Sequence, residues 1–190
     1  MIHDATLVRD TALDAARVFT ALAEMGDDVA RVIDAVRTTL ASGGTVFTCG
    51  NGGSAAEALH LAEELIGRYK ADRPPLRAIC LSSDPTALTC IANDYGFDRV
   101  FARQVEGLAR AGDCLVALST SGHSQNIRLA LEQARSMGVT TIALLGKDGG
   151  ACKDLCDHAL VMPSQATERI QEAHLLVIHQ ILEALERPRA

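Results

Sequence analysis

Thr45-Val46-Phe47-Thr48-Cys49-Gly50-Asn51-Gly52-Gly53-Ser54 decides the fold: an apolar run, a glycine-rich turn, then the opening of an amphipathic helix from about residue 55 to 69. The same grammar returns at Cys114-Leu115-Val116-Ala117-Leu118, which passes at once into Ser119-Thr120-Ser121-Gly122-His123-Ser124 and a helix to Met137. Short apolar runs bounded by turn residues read as strands buried on both faces. Working outward, three more strands are expected over 77–81, 140–145 and 158–162, the second of these closed by Gly146-Lys147-Asp148-Gly149-Gly150. Helices are expected over about 86–92, 98–110 and 165–186, with Asn93-Asp94-Tyr95-Gly96-Phe97 as a turn between the first two. Two amphipathic helices precede the first strand. Leu7, Leu13, Ala16, Phe19 and Leu22 form the stripe of one, and Val29, Val32, Ile33, Val36 and Leu40 that of the other. Strands alternating with helices, with no hairpin turn between strands, make an α/β fold with a parallel sheet covered on both faces. No linker, repeat or low-complexity tract divides the 190 residues, so one domain is expected: a helical hairpin over 1–42 and an α/β core over 43–190.

Composition removes several function classes. Acidic residues outnumber basic ones, 24 against 18, for a formal net charge of −6, and no Lys/Arg block stands out, so no nucleic-acid partner is expected. Two Tyr, four Phe and no Trp are too few for a base-stacking platform. No apolar run is long enough to span a bilayer, and no membrane partner is expected. The polar start, Met1-Ile2-His3-Asp4, is unlike a secretory signal. The six Cys (49, 80, 90, 114, 152 and 156) mostly sit in apolar runs, and Cys152 with Cys156 forms a CxxxC pair without a second pair to complete a structural zinc site. They read as reduced thiols in a cytoplasmic protein, with a redox role as the alternative.

In an open parallel sheet, ligands bind beyond the carboxyl ends of the strands. Two such ends carry loops suited to an anion. Gly50-Asn51-Gly52-Gly53-Ser54 lets backbone N–H groups approach a ligand closely, and Ser119, Thr120, Ser121 and Ser124 offer hydroxyls beside a helix N-terminus. One such residue would be a helix cap; four within six positions after a buried strand favour a phosphate cradle. The P-loop pattern GxxxxGK[ST] and the dinucleotide fingerprint are both absent. A second constellation lies on two helices. His60 and Glu64, four residues apart, project about 40° apart, and Gln171 and His179, eight apart, about 80° apart. Together they form a donor set for a divalent metal such as zinc. Spacing leaves the alternatives open: His60–Glu64 as a helix-surface pair, and His179 as a satisfied core histidine.

The string CGNGGSAAEALHLAEELIGRY, with NDYGF, STSGHS, GKDGG and RIQEAHLLVIH, resembles the bacterial phosphoheptose isomerases of the sugar isomerase (SIS) domain family, in order and spacing from about residue 43 to 182. The resemblance implies a single-domain, three-layer α/β/α sandwich with a flavodoxin-like parallel five-stranded sheet and two N-terminal helices. It implies a homotetramer with active sites at subunit interfaces. It also implies isomerisation of sedoheptulose 7-phosphate to D-glycero-D-manno-heptose 7-phosphate, an early step toward the ADP- or GDP-heptose of lipopolysaccharide and related glycans. The ligands of one Zn2+ per subunit fall on His60, Glu64, Gln171 and His179. Substrate contacts fall on Asn51, Gly52, Gly53, Glu64, Asn93, Asp94, Ser119, Thr120, Ser121, Ser124 and Gln171, with Ser54 and Arg68 in support. An aldose–ketose isomerisation through a cis-enediol needs a base beside the carbonyl and a group that moves protons between oxygens; Glu64 is the candidate base and His179 the candidate shuttle. The competing classes are a non-catalytic adaptor of the same domain family that binds a replication initiator, and a phosphosugar sensor. Gln165-Ala166-Thr167-Glu168 and Ser82-Ser83-Asp84-Pro85-Thr86 depart from the family's usual pattern.

Overall fold

A computed structural model describes residues 4–187; the expected polar start at Met1-Ile2-His3 lies outside them. Five strands, β1 (Val46–Gly50), β2 (Ala78–Cys80), β3 (Cys114–Ser119), β4 (Thr140–Leu145) and β5 (His158–Val161), form one sheet in the order β2-β1-β3-β4-β5. Every pairing is parallel, with Val46 opposite Cys114 and Cys114 opposite Thr140. This is the flavodoxin-like order, and its switch point lies between β1 and β3. Among the described residues seven α-helices cover the faces: α1 (Asp4–Ala23), α2 (Gly26–Ala41), α3 (Gly53–Ile66), α4 (Pro85–Tyr95), α5 (Ala102–Leu108), α6 (Gln125–Ser136) and α7 (Thr167–Glu186).

The side-chain alternation of the strands divides the core in two. Val46, Val116, Leu118, Ile142 and Leu144 point to one layer, where they meet Val32 and Val36 of α2, Leu61 and Leu65 of α3, and Val177 and Ile181 of α7. Phe47, Leu115, Ala117 and Leu145 point to the other, against Val105 of α5 and Ile127 and Leu131 of α6. β1 and β3 are buried along their whole length, which explains why the sequence reads there as unbroken apolar runs.

The local sequence accounts for where the helices start and stop, including where expectation and structure differ. Asp84 caps α4 by accepting from the N–H groups of Thr86 and Ala87, with Pro85 in the first helical position. The helix then continues through Asn93 and Asp94, where a turn is expected from composition. The stop is Gly96, at φ +86°, so the chain stays helical up to Tyr95. The helix expected over 98–110 is instead a 3-10 turn, Phe97–Arg99, followed by the short α5. The stripe assigned to the first helix is also corrected. Of the expected stripe Leu22 is buried, together with Val18, while Leu7, Leu13, Ala16 and Phe19 are exposed, because the face of α1 turned to the body of the chain is the one that carries Val18 and Leu22. The α2 stripe holds, with Val29, Val32 and Val36 buried.

All six cysteines are unpaired, and burial raises the thiols of Cys49, Cys114 (to about 12) and Cys152 (to about 11). Thiols shifted that way are poor nucleophiles, which favours the reduced, structural reading.

Candidate active site

The cradle forms at the switch point, where β1 and β3 end side by side. After β1 the chain turns at Gly52, whose φ of +56° suits a residue without Cβ, and Ser54 N donates to Asn51 O at 3.1 Å to start α3. After β3, Gly122 N donates to Ser119 Oγ at 3.1 Å, and His123 N donates to Ser121 Oγ at 3.2 Å. Ser124 occupies the N-cap position of α6, yet its hydroxyl makes no capping bond and faces Ser119 Oγ at 3.5 Å. The serines therefore do not cap α6, and the positive end of that helix is left to another acceptor. Asn51, Ser54, Ser119, Thr120, Ser121 and Ser124 line a cavity of about 60 Å³. A cavity needs about 10–15 Å³ to hold one water, so this one takes a phosphate-sized group but not a sugar ring. The loop is held from behind by Gly146–Gly150: a Cβ on Gly122 would run into the carbonyl of Gly149, and Cys152 N donates to Gly122 O at 3.0 Å.

The second centre lies along the seam between α3 and α7. His60 Nε2 and His179 Nε2 stand 3.2 Å apart, and His60 Nδ1 lies 3.0 Å from Glu63 Oε1. A carboxylate at Nδ1 fixes that nitrogen as the donor and turns the Nε2 lone pair toward His179. Donor atoms of His60, Glu63 and Glu64 all lie within 4.8 Å of one another. Tyr69 stacks on His179 with ring centres 5.6 Å apart. Burial and the neighbouring His60 ring hold His179 below the ordinary histidine range, against the opposing pull of Glu64. The His179 ring is thus favoured in its neutral form, with a lone pair to offer.

This donor set fits zinc. Two imidazole nitrogens sharing one tetrahedral Zn2+ at about 2.0–2.1 Å stand about 3.3 Å apart, and nitrogen with carboxylate is zinc chemistry. Without a shared cation, two acceptor-type nitrogens at that distance would repel unless one gave up its lone pair to a proton.

Not every expected residue joins these clusters. Gln171 sits at the other end of the seam, its amide against Gly53, so close that a Cβ there would collide with Gln171 Nε2. Eight residues of α7, about 12 Å of rise, separate it from His179. It therefore faces the start of α3 rather than the histidine pair. Asn93 and Asp94 end α4, both exposed, with Asn93 Nδ2 donating to Asp94 Oδ1 at 2.8 Å. Arg68 is exposed past the end of α3. Within one chain these three are not brought to the cradle or to the histidines. Sequence reading missed Glu63, Tyr69, and the buried His174, which bonds Leu145 O at 3.1 Å and faces Glu57 at 3.7 Å. Glu63, three residues after His60, was findable from helical spacing; Tyr69 and His174 needed the tertiary structure.

A parallel α/β domain that holds an anion cradle at its switch point, and a histidine–carboxylate centre two helical turns away, is built to grip a phosphorylated metabolite and act on its far end. The comparisons agree: the SIS domain pattern matches residues 13–146. A phosphoheptose isomerase from Akkermansia muciniphila is 49% identical over 180 residues, 95% of each chain. The solved phosphoheptose isomerase GmhA from Neisseria gonorrhoeae superposes with a TM-score of 0.92 at 37% identity, covering 97% of this chain and 99% of that one. A phosphoheptose isomerase from Francisella tularensis gives 0.94 at 32% identity, covering 98% and 100%. The chain belongs to the SIS domain family and, within it, to the phosphoheptose isomerases.

Proposed function

We propose that this protein converts sedoheptulose 7-phosphate to D-glycero-D-manno-heptose 7-phosphate through a cis-enediol. The observation that carries this is one helix with two ends of use. The cradle opens α3 at Gly53, and the histidine–carboxylate centre follows seven residues later, about 10 Å along. A seven-carbon sugar with a terminal phosphate spans a comparable distance, so a phosphate anchored by Ser119, Thr120, Ser121 and Ser124 leaves C1 and C2 beside Glu64 and His179.

Glu64 takes the proton from C1; the C1–H electrons form the C1=C2 double bond and the C2=O2 π pair moves onto O2. His179, held neutral by its surroundings, carries the O1 proton to O2; C1=O1 then closes as the C1=C2 pair takes the proton that Glu64 returns to C2, giving the aldose. Anchoring the far end turns both transfers into intramolecular steps. His60, Glu64 and His179 would hold one Zn2+ per subunit, with Glu64 and His179 released from it when they handle protons; Gln171, the further ligand that the resemblance implies, would join them only by leaving its seat against Gly53. When bound, the ion supplies a Lewis acid near the sugar's carbonyl oxygen.

A homotetramer with sites at its subunit interfaces accounts for what one chain leaves open. Leu7, Leu13 and Phe19 of α1 and Leu59 and Ile66 of α3 are exposed apolar side chains, and a packed neighbour would cover them. Arg68, Asn93 and Asp94, solvent-facing here, would then reach a neighbouring subunit's cradle. Among the described residues no helix is long and apolar enough to cross a membrane, and six cysteines without a disulfide, four of them buried, suit a cytoplasmic enzyme. A replication-initiator adaptor or a sensor would have no use for the His60–His179 pair.

The test is turnover of sedoheptulose 7-phosphate by purified protein, with chelator and with added zinc. Loss with chelator and recovery with zinc is the expected result. Turnover indifferent to chelator would retain the isomerase and discard the metal; none under any condition would turn attention to the adaptor.

A further inference from the structure

Two loops from neighbouring strands build the cradle, and a residue outside its lining joins them. Asn126, in the first turn of α6, is 3% exposed. Its amide and that of Asn51 bond each other twice: Asn51 Nδ2 donates to Asn126 Oδ1, and Asn126 Nδ2 donates to Asn51 Oδ1, each at 2.9 Å. On the other flank Ser82 Oγ donates to Gly50 O at 2.9 Å and accepts from Gly50 N at 3.3 Å. The loop after β1 is thus clasped from the β2 side by Ser82 and from the β3 side by Asn126.

We propose that Asn126 is a positioning residue for the phosphate subsite, acting only through Asn51. This rests on the isomerase reading above. Each amide in a reciprocal pair spends one N–H and one lone pair, so Asn51 keeps one donor and one acceptor. Asn51 is a cradle-lining residue and Asn126 is not, so those remaining groups of Asn51 are the ones available to a ligand. Unpaired, the amide would turn about χ2, a broad two-fold torsion, on a loop already loosened by three glycines. Paired, it presents one edge to the anion before the anion arrives, and binding does not have to order it. Asn126 is itself fixed by burial among the first residues of α6, so the orientation of Asn51 is set by a helix rather than by its own loop.

The experiment is a double-mutant cycle: Asn51→Ala, Asn126→Ala and the double variant, with kcat, KM and the midpoint of thermal unfolding measured for each. Asn126→Ala is expected to raise KM for sedoheptulose 7-phosphate about tenfold, the weight of one lost hydrogen bond, with a smaller change in kcat. Added to Asn51→Ala, it is expected to change KM by less than about twofold, because its target is already gone. A second tenfold rise in the double variant would mean that Asn126 acts on its own and would overturn the proposal, as would a single Asn126 variant with unchanged KM. Asn126→Leu, which keeps the branched shape and removes both bonds, serves the same cycle if the alanine variant does not fold. If the wild-type chain does not isomerise the sugar, the isomerase reading fails separately. The cycle is then read with inorganic phosphate as the probe, from the rise in unfolding midpoint at fixed phosphate. Stabilisation by phosphate lost in Asn126→Ala, with nothing further lost in the double variant, would still support Asn126's role. Wild-type protein that phosphate does not stabilise would overturn it.

Discussion

Gly53→Ala separates folding from catalysis. A Cβ at Gly53 would meet the amide of Gln171, the far end of a flexible side chain rather than a piece of backbone. The backbone at Gly53 is helical and not at positive φ, so alanine fits there, and in a helix it is favoured over glycine by about 0.5–1 kcal/mol. Moving a partly buried amide off its seat costs roughly 1 kcal/mol if one hydrogen bond goes with it. The two nearly cancel, so urea unfolding should place the variant within about 1 kcal/mol of wild type. Activity should not survive so well. Gln171 would be driven from the start of α3, between the cradle and the reacting end of the sugar, and a displacement of about 1 Å at such a site can cost on the order of a hundredfold. The assay is kcat/KM for sedoheptulose 7-phosphate beside the unfolding curve. A Gly53→Ala protein with wild-type kcat/KM would remove Gln171 from the working site. One that fails to fold would show that α7 cannot yield at that point and that the seam is rigid.

Three further outcomes are expected. Glu64→Gln should lower kcat by roughly 10²–10⁴-fold while substrate binding by calorimetry stays within a few-fold, the signature of a lost proton-transfer group. Gly122→Ala places a Cβ against the carbonyl of Gly149 and the N–H of Gly150, at a φ of +64°, where nothing flexible can yield; a loss of about 1–3 kcal/mol in urea unfolding is expected, with KM rising as the cradle shifts. Glu186, whose side chain is 7% exposed, accepts from the N–H groups of Tyr69, Lys70 and Ala71 and pairs with Arg73, and these hold its carboxyl below its ordinary value. The charged form is the one that the fold favours, so its contribution is complete above the ordinary carboxylate range and is lost as pH falls through the lowered value. Unfolding at pH 7 should therefore show Glu186→Gln weaker than wild type by roughly 1–3 kcal/mol, with the gap closing in acid.

The sheet was legible because β1 and β3 are buried on both faces and carry only Thr48 and the terminal Ser119 as polar residues, both hydrogen-bonded; the two loops were legible because glycines and hydroxyls follow those strands without a break. The end of α4 was harder to read. Asn93-Asp94 has turn composition, but Gly96 alone sets the boundary, so helix continued where composition suggested turn. The α1 stripe was misassigned because periodicity reports an apolar face and not what covers it: Leu7, Leu13 and Phe19 are apolar yet exposed on one chain. At the site, helical spacing put His60 and Glu64 on one face, but the approach of His60 to His179 within 3.2 Å is a tertiary fact. Gln171 shares a side of α7 with His179, and that its amide rests against Gly53 is likewise a tertiary fact that spacing on α7 does not reveal.

Proton transfer by Glu64 between C1 and C2 is the central claim, and the reaction in D2O tests it most directly. NMR of the heptose 7-phosphate formed by wild-type enzyme should show deuterium at C2, because a proton held by a carboxylate exchanges with solvent before it is returned to carbon; the Glu64→Gln variant should form almost no product. Full turnover with no deuterium at C2 would mean that hydrogen passes directly from C1 to C2, and the account of Glu64 would be wrong.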